Sequence, residues 1–260
     1  MSELSVPDLS FIVPKWPAPA NVKALQTTRI GGVSQAPYAS LNLGTHVNDD
    51  GIAVAKNRQL LSPYLPSEPV WVNQVHGVDV IDAAQSTCLQ NADASFATQA
   101  NVVCVTMTAD CLPVLLCDKA GTVVAAVHAG WRGLCDGAIE AAVNKLPVEK
   151  SEILAWLGPA IGPDAFEVGD EVRQQFMQHD SQAEQAFKQH GSKWLCNMYL
   201  IAKQRLNKLG VTQVYGGSAL GLCDENRSEH FCTYTDEARF FSFRRDNVTG
   251  RMASLIWLAS

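Results

Sequence analysis

The chain has 260 residues, of which 47% are apolar, and a formal net charge of -6 at pH 7. This length and composition suffice for a large hydrophobic core in one or two domains. The negative charge is spread without a run of lysine or arginine, which argues against a nucleic acid partner. We find no secretory signal pattern and no apolar run near the roughly 18 residues of a membrane span, and therefore expect a cytoplasmic protein with no membrane partner.

The eight cysteines and six histidines exclude several classes of metal and redox protein. Most cysteines lie in apolar stretches, and a chain this long needs no disulfides, so we interpret them as small core residues. The sequence has no Cys-x-x-Cys pair, which excludes zinc fingers, thioredoxin-type motifs and the nucleobase deaminase signature. Six histidines are also too few for the copper centres of a multicopper oxidase, which need about ten.

Proline content and the absence of helical periodicity predict an irregular N-terminal arm over residues 1–23, followed by a single catalytic domain over residues 24–260. Hydrophobic periodicity and turn residues predict four elements in the first part of this domain. They are a strand at 24–28, a helix at 52–64 and a hairpin with strands at 70–76 and 78–81.

The rest of the chain alternates apolar strand-like runs with amphipathic helical patterns. The predicted elements are a strand at 102–108, a hairpin with strands at 112–117 and 122–127, a helix at 131–146, a strand at 153–157, a helix at 194–209, and strands at 211–215, 231–233 and 252–258. Together they predict a mixed α/β (α+β) fold, in which helices cover a largely antiparallel central sheet.

The hairpin at 112–127 brings together two residues that bind metals well. If its turn is centred between Lys119 and Ala120, Cys111 and His128 lie directly opposite each other. Facing residues of an antiparallel pair have Cβ atoms about 4.5–5.5 Å apart. One ion at about 2.0–2.3 Å from nitrogen and sulfur can bridge that gap.

His76, beside a sharp turn at Gly77, is the third candidate ligand and must arrive from another strand. Three protein ligands leave a tetrahedral ion one open position, which is typical of catalytic zinc sites. Two other interpretations remain open from the residues alone. Each histidine could be an ordinary core or surface group, and Cys111 with His128 could be a metal-free nucleophile and base.

Three charged residues near turns are further candidates. Asp110, next to Cys111, could orient a histidine, act as a general base or cap a turn. Arg29, followed by a glycine pair, could hold phosphate or be a solvated arginine in a plain turn. Arg244 follows a run of aromatic residues and could stack with them on a flat ring, or lie in a basic loop. The amides at the start of the helix after His128 would favour an anion.

Six segments resemble, in order, motifs of the multicopper polyphenol oxidase or laccase-like proteins. This family, also called YfiH-like, is related to human laccase domain-containing protein and the bacterial peptidoglycan editing factor. The segments are 28–34 (TRIGGVS), 41–44 (LNLG), 73–77 (NQVHG), 108–111 (TADC), 128–133 (HAGWRG) and 158–169. The resemblance covers residues 24 to 260 and implies a fold similar to a toxin-like deamidase with a Cys-His pair.

The resemblance also implies a zinc site, with copper as the alternative, formed by His76, Cys111 and His128. It implies phosphorolysis of adenosine, inosine, guanosine and methylthioadenosine, and deamination of adenosine. Purine nucleosides and phosphate are then the partners, and we expect a monomer or weak homo-oligomer. We assign catalytic roles to the three ligands and to Asp110, as the proton shuttle for a metal-activated water. Arg29 and Arg244 are the predicted substrate-binding residues.

Alternative functions remain open. The first is a metal-independent hydrolase that edits peptidoglycan precursors, with Cys111 as nucleophile and His128 as base. A weak copper-dependent polyphenol oxidase would need a copper arrangement unlike that of a laccase. A non-enzymatic, metal-stabilised binding module would lose stability but no turnover on metal removal. Metal analysis and alkylation of Cys111 separate these functions.

Overall fold

Two β-sheets stack face to face, with helices on both outer sides. The computed structural model describes residues 9–86, 89–217 and 231–260. The strands are β1 Phe11–Ile12, β2 Val22–Thr27, β3 Val80–Asp82, β4 Ala94–Ala97, β5 Cys104–Thr108, β6 Leu112–Asp118, β7 Val124–Ala129, β8 Ile153–Leu157, β9 Glu167–Val168, β10 Phe187–His190, β11 Lys193–Cys196, β12 Gln213–Gly216 and β13 Met252–Leu258. The α-helices are α1 Gly51–Leu61, α2 Trp131–Asp136, α3 Ala138–Lys145, α4 Asp170–His179, α5 Met198–Lys208 and α6 Phe243–Asp246. Short 3-10 helices cover Ser62–Tyr64, Lys150–Glu152 and Ser181–Ala186.

The larger sheet has six strands in the order β12-β8-β6-β7-β4-β3. Its three central pairs are antiparallel, and the outermost pairs, β12 with β8 and β3 with β4, are parallel. Every residue of β6, β7 and β8 is buried, because both faces of this sheet are covered. The predicted mixed fold with a largely antiparallel central sheet is confirmed.

A second, four-stranded sheet in the order β1-β2-β13-β5 covers one face of the first. Successive side chains of a strand point to opposite faces. Val114 and Leu116 of β6 accordingly pack with residues of α3 and α5, while Leu115 and Cys117 pack with residues of the second sheet. Leu61 at the end of α1 belongs to a third cluster on the outer face of the second sheet. This second sheet was not predicted.

Strand pairing also enters the segment for which an irregular arm was predicted. β1 lies within it and pairs with β2, so that Phe11 faces Thr27. β2 itself begins at Val22. Trp16 packs against the cluster between the two sheets. The described residues 9–23 therefore contribute to the core.

Two predicted helices have different limits. The predicted helix at 131–146 is divided at Gly137, whose φ of 103° lies in the left-handed region that glycine adopts at least cost. The predicted helix at 194–209 begins only at Met198, because Lys193–Cys196 pairs with β9 and β10 instead. None of the helices in the described parts of the chain combines the length and apolar character needed to cross a membrane.

The prediction of a hairpin with strands at 70–76 and 78–81 is wrong. β3 pairs in parallel with β4, and Asn73 makes only an isolated bridge with Asn91. His76, with a φ of 59°, lies in a loop between these contacts. The strand predicted at 231–233 is also wrong, since this segment has no regular secondary structure.

Candidate metal centre and active site

The β6–β7 hairpin has a register different from the one predicted. Pro113 faces His128, so the prediction that Cys111 faces His128 is wrong by two residues. In the observed register Cys111, just before β6, is level with Gly130. A Cβ at Gly130 would lie 3.0 Å from Cys111 Sγ and 2.7 Å from His76 Cδ2. The missing side chain of Gly130 therefore makes room for the candidate ligands.

The side chain of Asp118 explains the register. Its Oδ1 accepts hydrogen bonds from the amides of Thr122 and Val123 at 2.6 and 3.0 Å. Its Oδ2 accepts one from the Thr122 hydroxyl at 2.8 Å. Because aspartate binds nearby amides in this way, the turn closes over four residues, 119–122, and its centre moves beyond Ala120. The prediction had centred the turn between Lys119 and Ala120.

The structure brings the three predicted ligands together. One ligand atom each from His76, Cys111 and His128 lies within 4.8 Å of the other two. Cys111 Sγ is 3.7 Å from His76 Nε2, and the two imidazole rings meet edge to face. Zinc bonds of about 2.0–2.3 Å in a tetrahedron separate nitrogen and sulfur by about 3.5 Å. The spacing and the donor set therefore fit a zinc ion.

Asp93 joins the two histidine-bearing segments, and sequence analysis missed it. Its side chain is fully buried, and Oδ1 lies 2.7 Å from His128 Nδ1. The carboxylate also accepts hydrogen bonds from the amides of Val75, His76 and Gly77, at 3.2, 3.0 and 2.6 Å. A carboxylate in this position favours the tautomer with hydrogen on Nδ1 and leaves Nε2 to face a metal.

Nothing in the spacing around Asp93 distinguishes it from the other carboxylates of the chain. It precedes β4 in an Ala-Asp-Ala segment with no glycine or proline signal. A carboxylate beside a metal-binding histidine is a general expectation. Only the long-range pairing of β4 with β7 identifies Asp93 as that carboxylate.

The thiol and the imidazole of the candidate centre both have shifted pKa values. Burial raises the pKa of the Cys111 thiol, but the charge of His128 and hydrogen bonds from His128 and His76 outweigh it and lower the pKa to about 6. Burial lowers the pKa of His128, while Cys111 and Asp93 raise it to about 9. By contrast, burial raises the pKa of Cys117 to about 12. Cys111 is thus a thiolate at neutral pH, the form that binds metals.

A cavity of about 410 Å³ opens onto His76 and Cys111. This volume lies within the range of about 300–1,000 Å³ found for small-molecule sites. The lining side chains include three aromatic and two cationic residues: Trp131, Phe166, Phe243, Arg132 and Arg244. Aromatic faces suit a flat ring and guanidinium groups suit an anion.

Asp110 fixes one wall of this cavity. It has a φ of 94°, and its oxygens accept hydrogen bonds from the Thr233 hydroxyl and the Arg244 amide, each at 2.6 Å. The Arg244 guanidinium then donates to the Glu167 carbonyl at 2.8 Å and lies 5.3 Å from the centre of the Phe166 ring. Both Asp110 and Arg244 therefore line the cavity.

Arg29 is placed differently. Its guanidinium donates to the main-chain carbonyls of Ala39 and Glu237, at 2.9 and 3.2 Å, and lies over the Phe241 ring. Arg29 is not one of the described residues that line the cavity. The structure thus gives it contacts that hold loops together and does not bring it to the other predicted site residues.

Comparisons with known proteins agree over almost the whole chain. A family model described as "Multi-copper polyphenol oxidoreductase laccase" matches residues 23–259. "Purine nucleoside phosphorylase YfiH" of Escherichia coli (strain K12) is 53% identical over 251 residues, covering 95% of this chain and 98% of the relative. "Purine nucleoside phosphorylase PA4543" of Pseudomonas aeruginosa is 51% identical and covers 96% and 98%. The crystal structure of Neisseria meningitidis protein NMB0706 has a TM-score of 0.88 at 46% identity, covering 96% and 99%.

Proposed function

The chain belongs to the family described as multi-copper polyphenol oxidoreductase laccase, and we propose that it is a zinc-dependent enzyme of purine nucleosides. The convergence of His76, Cys111 and His128 beside a cavity that His76 and Cys111 line carries this proposal. The printed names of the relatives that are 53% and 51% identical, purine nucleoside phosphorylases, support the substrate class.

We propose phosphorolysis of adenosine, inosine, guanosine and methylthioadenosine, and deamination of adenosine. In phosphorolysis, a phosphate oxygen bonds to C1′ as the bond between C1′ and the purine nitrogen breaks. The cavity supplies cations for phosphate, from Arg132 and Arg244, and aromatic faces for the purine. A zinc ion held by the three ligands would supply a Lewis acid and lower the pKa of a water molecule.

The surrounding residues hold these groups in place. Asp93 fixes the ring of His128 through Nδ1. Asp110 binds the amide of Arg244, and both of its oxygens accept hydrogen bonds. We therefore favour a positioning role for Asp110 over a proton shuttle. Ile161 and Met198 add apolar surface to the cavity lining.

The experiment is a nucleoside panel incubated with purified protein, with and without phosphate, in which free base and ammonia are measured. We expect phosphate-dependent base release, and ammonia from adenosine. Cys111→Ala should lower both rates by more than about 100-fold, because even residues that only support a ligand contribute about 10- to 100-fold. Cys117→Ala, near the far end of the strand β6 that Cys111 precedes, is the matched control and should retain turnover. Undiminished rates for Cys111→Ala would refute the proposal.

One observation favours a second candidate. Asp93 lies 2.7 Å from His128 Nδ1, and His128 is the main group that lowers the pKa of Cys111. This is the arrangement of a cysteine nucleophile activated by a histidine that a third group orients. A metal-independent hydrolase of peptidoglycan precursors would use it. Full activity in metal-free protein, lost on alkylation of Cys111, would favour this candidate over the zinc enzyme.

Copper-dependent polyphenol oxidation has less support. Two groups of metal-ligating side chains occur among the described residues, and neither holds more than two histidines. Laccase chemistry requires several copper ions in centres rich in histidine. We therefore do not extend the copper named in the family description to this chain.

A further inference from the structure

A second group of metal-ligating side chains lies where α2 and α4 end. Cys135 and Asp136 are the last two residues of α2, and His179 is the last residue of α4. One ligand atom from each lies within 4.8 Å of the other two. We propose that this group, the α2–α4 cluster, binds a divalent transition-metal ion of the zinc type, separately from the centre at Cys111.

An unpartnered carboxylate oxygen next to the cluster supports the proposal. Glu140 Oε1 lies 2.6 Å from Arg205 Nη1. Its Oε2 is buried and has no hydrogen-bond partner. Such an orphaned buried oxygen is costly, and a cation would satisfy it. Glu140 and His179 also line the same cavity, of about 240 Å³. Glu140 therefore adds negative charge beside the three donors of the proposed site.

The donor types select the metal. A thiolate and an imidazole with carboxylates suit zinc, whereas magnesium and calcium prefer oxygen alone. Cys135 is buried, while Asp136 and His179 are exposed, so an ion can enter from solvent and these two side chains can turn towards it. When sulfur binds the ion, the Cys135 S–H bond breaks and the proton passes to water.

The charges near the cluster balance a divalent ion. Burial raises the pKa of Cys135 to about 11, so its thiolate forms only when an ion displaces the proton. Asp136, Glu140 and that thiolate would then carry three negative charges. Arg205 offsets one of these through its contact with Glu140, and it also donates to the Cys135 carbonyl at 2.9 Å. Lys208, the other nearby cation, is paired with Asp180 at 3.0 Å. A charge of about -2 therefore remains for the ion to neutralise.

The position of α2 indicates what the ion would do. Trp131 and Arg132, at the start of α2, line the proposed active-site cavity. Its six residues span only about 9 Å. An ion that ties the end of α2 to α4 would hold this wall of the cavity, and would stabilise the folded state because it binds only there. The role of the ion is structural, and it takes no direct part in the proposed turnover.

Cobalt(II) binding tests the proposal, because a cobalt–thiolate bond gives a charge-transfer absorption band. In Cys111→Ala protein the first centre has no thiolate. We expect the band to remain in this protein, to disappear when Cys135→Ala is added, and to need at least about tenfold more cobalt when His179→Ala is added. The matched control is His190→Ala, an exposed histidine of β10 that contacts Glu167, and it should change nothing.

A second measurement tests the proposal even if the double variant does not fold. Wild-type protein should hold two zinc equivalents by elemental analysis, and the surface variant His179→Ala should hold one. Absence of the band in Cys111→Ala protein, or its persistence with Cys135→Ala, would overturn the proposal. One equivalent in the wild type, lost with Cys111→Ala, would overturn it as well.

Discussion

The carboxylate of Asp93 contacts both histidine-bearing segments of the candidate metal centre. It reaches one imidazole through the ring nitrogen of His128 and the other through the main chain around His76. Burial raises the pKa of Asp93, but the hydrogen bonds from His128 and Gly77 outweigh it and lower the pKa. Asp93 is therefore negatively charged at neutral pH, and this charge complements a positive charge on His128 or on a bound metal ion.

Asp93→Asn should weaken zinc binding. The amide carries no charge, and its NH2 group would face one of the groups that now donate to the carboxylate. We expect zinc affinity to fall by about 10- to 100-fold and the free energy of unfolding to fall by about 1–3 kcal/mol. Chelator competition and denaturant titration measure the two effects. Asp79→Asn is the control. Asp79 is exposed, and its hydrogen bond with Asp93 uses its main-chain carbonyl, which the substitution leaves in place. Unchanged zinc affinity in Asp93→Asn would be inconsistent with this role.

The pKa of Cys111 predicts the pH dependence of its alkylation in metal-free protein. The thiolate is the reactive form, and its pKa is lowered from 9.0 to about 6. When the pKa of a thiol is lowered, its thiolate forms at a lower pH. The rate with iodoacetamide, followed by peptide mass spectrometry, should therefore rise with a midpoint near pH 6. A midpoint near pH 9 would show that His128 and His76 do not stabilise the thiolate.

At the scale of elements, the junction of β7 and α2 depends on Gly130. Gly130→Ala would force a Cβ against His76 and Cys111. Overpacking of this kind costs about 1–3 kcal/mol, and here it displaces two ligands. We expect zinc affinity to fall by about tenfold or more in chelator competition. Gly51→Ala, where an added Cβ meets nothing within 4 Å, is the control. Equal affinity in both variants would mean that the two ligands do not converge beside Gly130.

Several elements could be predicted because their patterns are local. The strands at Ile153–Leu157 and Met252–Leu258 match the predicted limits, since both are short and almost entirely apolar runs. The break at Gly137 could not be predicted, because a glycine inside a helical pattern is often tolerated. The strand Lys193–Cys196 has apolar residues at helical spacing, and only pairing with distant strands makes it extended.

The convergence of the three candidate ligands was predicted although the register behind it was wrong. Cys111 and His128 remain close because both lie at the same end of the β6–β7 hairpin, whichever residue each faces. His76 was a candidate from its turn at Gly77, but no local pattern could show its position beside the other two, since a long-range contact with Asp93 fixes its loop. Arg29 shows the opposite case, in which a residue predicted from a local pattern is not one of those described as lining the cavity. The glycine pair after Arg29 predicted a turn but carried no information about the distance between Arg29 and the cavity.

For the whole molecule, the layered fold places the centre on rigid elements. Cys111 directly precedes β6 and His128 lies within β7, and both strands are buried along their full length between helices and the second sheet. Sites held by such elements keep their geometry better than sites on loops. Only His76 arrives on a loop, and the side chain of Asp93 binds three consecutive amides of that loop.

The central claim is that one ion binds His76, Cys111 and His128 and faces the cavity. Anomalous X-ray diffraction at the zinc absorption edge, from crystals of catalytically active protein, tests it most directly. We predict an anomalous peak within about 2.0–2.3 Å of His76 Nε2, Cys111 Sγ and His128 Nε2. A peak confined to other residues, or none at all in crystals whose dissolved protein still turns over nucleosides, would contradict the claim.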